Sequence, residues 1–243
     1  IRTNGIDYIM DAYANTLGSE NKTIVENNEK INWKHFRQFM EYLKNNEHAY
    51  IKHEYSMRNK RKRSNKTSTL EDIQYKFLNL PTIDRSVEEY INPNEDKWQE
   101  RYYKALFDIE ITEPLRKKIC INFLEALEWT FKYYTIGCCD WRWKYNYDYP
   151  PLLEDLYKYI PYFDNEFITN KDINPISPIV QLCYVLPVES HKFLSKDVRL
   201  LLSEKREWYT NDFNFKWAFC KYFWEAHVEL PHIDINQLEK HIG

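Results

Sequence analysis

The residues whose types and spacing best suit a chemical role lie in one stretch, GCCDWRWKYNYDYPP, at residues 137–151. It contains Trp141, Trp143 and three tyrosines, and it ends on a double proline. Aromatic rings in irregular backbone often fill a hydrophobic core. Alternatively, such rings form a wall on which unpaired nucleobases stack, because every base presents a π face. Both interpretations stay open from these residues alone.

Other reactive chemistry has little support in the sequence. No nucleophile elbow occurs, and the seven histidines lack the spacing of zinc ligands. Two pairs of acids could hold a metal ion, Asp164 with Glu166 and Glu125 with Glu128, but acids on a protein surface are usually only solvated. We therefore expect no catalytic residue and no metal site in this chain.

A basic run, MRNKRKRSNKTST, occupies residues 57–69. It contains six Lys or Arg and no apolar residue after Met57, which predicts an exposed, mobile loop. In a functional interpretation, Lys60, Arg61, Lys62 and Arg63 form a patch that contacts phosphates. In the alternative, the run is a solvated insertion or a localisation signal.

The composition limits the class of protein. With 243 residues, 43% of them hydrophobic, the chain can enclose a core as a single domain over residues 1–243. A net charge of −3 argues against indiscriminate coating of polyanions. The five cysteines show no C-x-x-C spacing, which predicts a reducing compartment and hence a cytoplasmic location, with the nucleus as the alternative. No apolar run is long enough to span a bilayer, so we expect no membrane contact.

Helices must position the aromatic stretch, since the chain has only four glycines and apolar residues recur every three or four positions. The pattern predicts helices over residues 4–17, from a cap at Asn32, over residues 98–108, over residues 151–160 and from residue 178. A long central helix should run from Thr112 to Ile136, cap at Gly137 and be surrounded by protein. The predicted fold is mainly α: an irregular helical domain with a long central helix and few or no short strands.

A series of different short motifs runs in order along most of the chain. They comprise Trp98, Tyr102 and Tyr103; Glu125, Leu127, Trp129, Tyr133, Tyr134 and Gly137; Trp141, Trp143, Tyr145, Tyr147, Tyr149 and Pro151; Asn174, Pro175, Pro178, Gln181, Leu182, Val185, Leu186, Pro187, Ser190 and Leu194; and Trp224, Leu230, Pro231, Ile233, Asp234 and Leu238. This series resembles the helical middle domain of the Xrn family of 5′→3′ exoribonucleases, which follows their catalytic N-terminal region. The opening IRTNGID is similar to the segment after the last catalytic aspartate of that family.

The resemblance implies processive hydrolysis of single-stranded RNA that carries a 5′ monophosphate. Mg²⁺ would be bound by acids of the N-terminal region, which is absent from this chain, so the chain alone should be inactive. That catalytic domain, in the same protein or as a separate subunit, and the RNA are the implied partners. The resemblance assigns base stacking to Trp143, with Trp141 second, and leaves Trp129 in the core.

The chain departs from the family pattern at Lys144, Asn146, Asp148 and Pro150, where the family has Tyr, Pro, His and Ala. Lys144 adds a positive charge, so we expect it, together with Arg142, to contact RNA phosphates. The departures also allow an alternative function, a non-catalytic RNA-binding or assembly module derived from the same family.

Overall fold

The computed structural model describes residues 5–27, 29–60 and 69–243. Within these ranges the fold is mainly α-helical, which confirms the predicted fold class. The helices are α1 Gly5–Thr16, α2 Trp33–Lys60, α3 Leu70–Leu78, α4 Leu80–Ile83, α5 Ser86–Ile91, α6 Trp98–Phe107, α7 Glu113–Thr135, α8 Leu153–Tyr159, α9 Pro178–Val185, α10 Lys196–Ser203 and α11 Ile235–Ile242.

Four short strands form two antiparallel pairs in the described ranges. The strand β1 (Val25–Glu26) pairs with β2 (Lys30–Ile31), and β3 (Asn214–Lys216) pairs with β4 (His227–Glu229), with Phe215 opposite Val228. The sheet content is therefore as small as the sequence predicts. No helix of the described part has the length and apolar content needed to cross a membrane.

The first hydrophobic cluster joins α1, α2, α7 and α8. Its buried members include Ala12, Phe39, Leu124 and Leu156, one from each of these helices. In α2, α7 and α8 the buried and partly buried members recur at spacings of three or four, so each of these helices turns one apolar stripe inward. Helix α1 buries only Ala12. In this packing α8 contacts both α2 and α7.

Two further clusters complete the core. The second contains Tyr103 of α6 and Ile119 of α7, so α7 contributes to two clusters and is the central strut that the sequence predicts. The third gathers α9, α10 and α11 around Cys183, Leu202 and Leu238.

The last turn of α7 differs from the prediction that protein surrounds the whole helix. Tyr133 is 44% exposed and Tyr134 is 81% exposed. The amphipathic pattern could not reveal this, because tyrosine is tolerated both in cores and at the surface. The exposed turn brings two aromatic rings to the start of the 137–151 stretch.

The predicted loop at residues 57–69 is wrong for its first four residues, because α2 continues through Lys60. Arg58 of this final turn is buried rather than solvated, and it donates two hydrogen bonds to Glu88 of α5 at 2.7 and 2.9 Å. A partner distant in sequence thus extends the helix into the basic run. Arg61, Lys62 and Arg63 lie outside the described residues, and Thr69 caps α3.

Candidate functional site

The aromatic stretch follows directly on the end of α7. Gly137 has a φ of +105°, which residues with side chains rarely adopt, and its amide donates to the Lys132 carbonyl at 3.0 Å. The chain then runs back along α7. Three contacts join it to the helix: Trp129 Nε1 to the Asp140 carbonyl (2.9 Å), Trp143 Nε1 to Glu125 Oε2 (3.5 Å) and the Asn146 amide to Asn122 Oδ1 (2.9 Å).

Side chains of residues 143–150 alternate between partial burial and exposure. The partly buried ones are Trp143, Tyr145, Tyr147 and Tyr149, and the exposed ones are Lys144, Asn146, Asp148 and Pro150. Tyr145 meets the Phe123 ring edge-on at 5.7 Å, and the Tyr147 ring lies 5.8 Å from Phe107. The tyrosines therefore pack as part of the core, and an extended backbone presents every second side chain to solvent.

Trp143 is held differently, in a parallel stack of aromatic rings. Its ring centroid lies 5.8 Å from that of Trp129, and Trp129 in turn stacks on Tyr133 at 5.3 Å. Trp141 is 52% exposed, and within the described part of the chain no ring packs on it. The structure thus backs Trp143 firmly and leaves Trp141 as an isolated exposed indole.

The predicted cations are only partly brought to this site. Lys144 is exposed beside Trp143, and among the described residues no carboxylate lies within 4.0 Å of its Nζ. Arg142 instead forms a two-pronged ion pair with Glu239 of α11, at 2.7 and 2.9 Å. Lys60 ends α2 and does not line this site.

Asp140 anchors the turn that carries Trp141 and Trp143. One carboxylate oxygen accepts from the Arg142 amide at 2.9 Å, and the other accepts from Lys171 Nζ at 2.8 Å. Burial acts to raise the pKa of Asp140, but the Lys171 ammonium and the backbone donors outweigh it, so the pKa lies below its ordinary value. The carboxylate is thus ionised at neutral pH and holds the turn in place.

Trp143 lines an open groove of about 370 Å³, which we call the tryptophan groove. Its wall includes Glu125, Asp140, Arg142, Trp143, Lys144 and Lys171. A second groove of about 400 Å³, the lysine groove, includes Pro114, Lys117, Lys118, Ile121 and Tyr147. Asn122, Glu125 and Asn146 line both. The two grooves therefore adjoin along one side of α7.

The described residues do not fit a magnesium site. Among them, no three His, Cys, Asp or Glu side chains converge as metal ligands would. Of the acid pairs singled out in the sequence, Asp164 pairs with Lys30, and Glu166 and Glu128 both pair with Lys132. Glu125 accepts from Asn122 Nδ2 at 2.8 Å. These carboxylates are engaged in structural contacts.

The sequence interpretation missed three lysines of the grooves. Lys117, Ile121, Glu125 and Trp129 follow one another at intervals of four, so they lie along one stripe of α7. That periodicity could have identified Lys117 as a neighbour of the tryptophan groove. Lys118 follows Lys117 in the sequence. Lys171 gave no such signal, because a loop brings it to Asp140.

Comparisons with known proteins agree with the motif pattern. The family described as the Xrn1 helical domain matches residues 82–242. The chain is 32% identical over 149 residues to 5′-3′ exoribonuclease 2 of Gallus gallus, and the match covers 59% of this chain and 15% of that protein. It is 32% identical over 157 residues to 5′-3′ exoribonuclease 2 of Saccharomyces cerevisiae, with 62% and 15% covered. The chain spans about 15% of the length of these relatives.

Proposed function

The chain belongs to the Xrn1 helical-domain family, and we propose that it serves as the helical domain of a 5′→3′ exoribonuclease that degrades 5′-monophosphorylated single-stranded RNA. One observation carries the proposal: Trp143 lies in a groove, backed by Trp129 and flanked by the exposed Lys144. Aromatic rings beside cations are the two elements with which proteins bind unpaired strands.

In this role the indole of Trp143 stacks on the leading bases of the strand. Stacking on a base contributes about 1–3 kcal/mol and tolerates any sequence, as a processive enzyme requires. Trp129 keeps the Trp143 ring from tilting away, and Lys144 attracts a phosphate. Trp141, exposed on the same turn, is the second stacking candidate.

The hydrolytic step belongs to another part of the protein in this proposal. Mg²⁺ would be held there by acids of a catalytic region, either in the same polypeptide or in a separate subunit. The chain described here would bind and orient the strand for that region and would be inactive by itself. A cytoplasmic or nuclear location remains a prediction.

A second candidate function is a non-catalytic RNA-binding or assembly module. The observation that favours it is the placement of the departures from the Xrn pattern, because Lys144, Asn146, Asp148 and Pro150 all occupy the exposed positions of the stretch. Asp148 pairs with His227 of β4 at 2.9 Å. The surface has thus changed while the ring-bearing face has kept the pattern.

One experiment separates the two functions. The complete protein that contains this chain is incubated with Mg²⁺ and single-stranded RNA bearing either a 5′ monophosphate or a 5′ triphosphate. The exonuclease proposal expects stepwise degradation of the monophosphorylated RNA and slower degradation by Trp143→Ala, with Trp224→Ala as the exposed-indole control. Binding of both RNAs with no degradation would favour the module.

A further inference from the structure

The lysine groove continues the tryptophan groove toward the N-terminal end of α7. The two share Asn122, Glu125 and Asn146, so they meet at a common wall. Lys117 and Lys118 line the lysine groove and precede Trp129 by twelve and eleven positions along α7.

Lys117 and Lys118 keep their positive charges available. Both are exposed, and in the described ranges no carboxylate lies within 4.0 Å of either ammonium group. The acid nearest in sequence, Glu113, is instead engaged by Arg116 at 2.6 Å and by the Tyr159 hydroxyl. Arg142 differs, since Glu239 already neutralises its charge.

The shared wall is rigid and polar. Asn122 Oδ1 accepts hydrogen bonds from the amide and from Nδ2 of Asn146, at 2.9 and 3.1 Å, and Asn122 Nδ2 donates to Glu125. These contacts fix the 137–151 stretch against α7 between the two grooves. Asn146 is exposed, so its remaining amide groups can donate to or accept from a strand that crosses this wall.

We propose that the lysine groove is a second contact site for the same single strand of RNA, in which Lys117 and Lys118 bind phosphates downstream of the bases stacked on Trp143. This inference rests on the proposed function. Trp143 contacts Glu125 and stacks on Trp129, which lie eight and twelve positions beyond Lys117, so roughly 12–18 Å of helix separate the two sites. A stacked strand advances ~3.4 Å per nucleotide, so the sites lie about four to five nucleotides apart.

The test measures, in the absence of Mg²⁺, the affinity of the complete protein that contains this chain for fluorescent, unstructured 5′-monophosphorylated RNAs of three and ten nucleotides over a salt titration. The double variant Lys117→Gln with Lys118→Gln removes both charges and keeps good helix formers. The control, Lys192→Gln with Lys196→Gln, removes two exposed charges that line neither groove. Thermal unfolding checks that each variant remains folded.

We expect the groove variant to bind the ten-nucleotide RNA about two- to thirtyfold more weakly, as loss of two exposed ion pairs implies. Its salt dependence should fall by about 1.4, because each phosphate contact of a single strand contributes ~0.7 to the slope. The three-nucleotide RNA should bind the variant and the wild-type chain equally, and the control should leave both affinities unchanged.

Other results overturn the inference in distinguishable ways. If the groove variant binds the longer RNA as wild type does while Trp143→Ala weakens binding, the lysine contact is wrong and the proposed function stands. If the groove variant weakens both lengths equally, or if the control weakens binding as much, the lysines act as general charge and not as a distant site. If the wild-type complete protein binds neither RNA, the proposed function fails together with the inference.

Discussion

The indole of Trp143 stacks on the indole of Trp129 with 5.8 Å between ring centroids and 22° between ring planes. Trp129 is itself fixed, because its Nε1 donates to the Asp140 carbonyl at 2.9 Å. A ring on a long helix thus supports a ring on an irregular segment. This arrangement explains how a stretch without regular secondary structure can hold an aromatic side chain in one orientation beside an open groove.

Replacing Trp143 should weaken RNA binding without unfolding the chain. Trp143→Ala removes the stacking surface, so the free energy of binding to a single-stranded RNA should become about 1–3 kcal/mol less favourable. Trp143→Phe keeps a smaller ring and should lose less. Fluorescence anisotropy measures both, and Trp224→Ala serves as the control because Trp224 is exposed and lines neither groove. Equal affinity for Trp143→Ala and wild type would show that the strand does not contact this ring.

The ion pair between Arg142 and Glu239 predicts a gain of RNA affinity on loss of an acid. Glu239→Gln frees the guanidinium beside Trp143, so RNA should bind more tightly and the salt slope should rise by about 0.7. The same variant loses a link between α11 and the aromatic stretch, which should lower the free energy of unfolding only slightly, because solvent screens an exposed ion pair.

The control for this variant is Glu207→Gln, which removes one acid outside both grooves. It tests whether net charge alone changes RNA affinity. A loss of stability in Glu239→Gln without any gain in affinity would show that Arg142 has a structural role and does not reach phosphate.

The parts of the fold that depend on neighbouring residues could be predicted from the sequence. The cap at Asn32, whose Oδ1 accepts from the His35 amide at 2.8 Å, and the end of α7 at Gly137 both follow from local chemistry. The predicted stacking role of Trp143 comes from the motif resemblance, because aromatic content alone does not distinguish a core ring from a ring that binds a ligand.

Contacts between distant positions account for what the sequence could not supply. Arg142, a predicted phosphate contact, meets the carboxylate of Glu239 97 positions away, and that ion pair could not be read from the sequence. Arg58 meets Glu88, 30 positions away, which turns the start of a predicted loop into helix. Arginine side chains are usually exposed, so the sequence gives no sign that either residue has an acid partner. Only the tertiary structure shows the acid opposite each of them.

Glu47 predicts a loss of stability as the pH rises. This residue of α2 caps α8, because its carboxylate accepts the Leu153 amide at 2.7 Å and the Glu154 amide at 3.2 Å. Burial raises its pKa from 4.5 to about 7, against the lowering effect of these two hydrogen bonds. The folded chain therefore retains a proton that the unfolded chain has released.

The sign follows from this proton. The contribution of Glu47 to the free energy of unfolding is fully present below about pH 4.5. It is lost as the pH rises through about 7, by up to about 3 kcal/mol. In Glu47→Gln this part of the pH dependence should disappear, so the stability difference between pH 5 and pH 8 should shrink. Urea unfolding at both values measures it, with Glu41→Gln on the same helix as the control. An unchanged difference in Glu47→Gln would contradict the prediction.

Glu88 should be the costliest single acid to neutralise. Its side chain is fully buried, and it accepts from Arg58, from Arg85 Nε at 2.6 Å and from the Phe219 amide at 2.7 Å. Glu88→Gln leaves two buried guanidinium groups with a neutral partner, so we expect the free energy of unfolding to fall by about 3–5 kcal/mol in urea titrations.

The double variant Arg58→Met with Glu88→Leu tests whether this loss of stability comes from leaving buried charges unpaired. The double variant leaves one unpaired charge fewer than Glu88→Leu alone. The two changes together should therefore lower the free energy of unfolding by less than the sum of the two single changes. Glu71→Gln, on the exposed surface of α3, should change stability by less than about 0.5 kcal/mol. RNA affinity of the folded fraction should stay at the wild-type level in every case, because none of these residues lines the two grooves. Additive costs in the double variant would show that Arg58 and Glu88 stabilise α2 independently, and not as one buried ion pair.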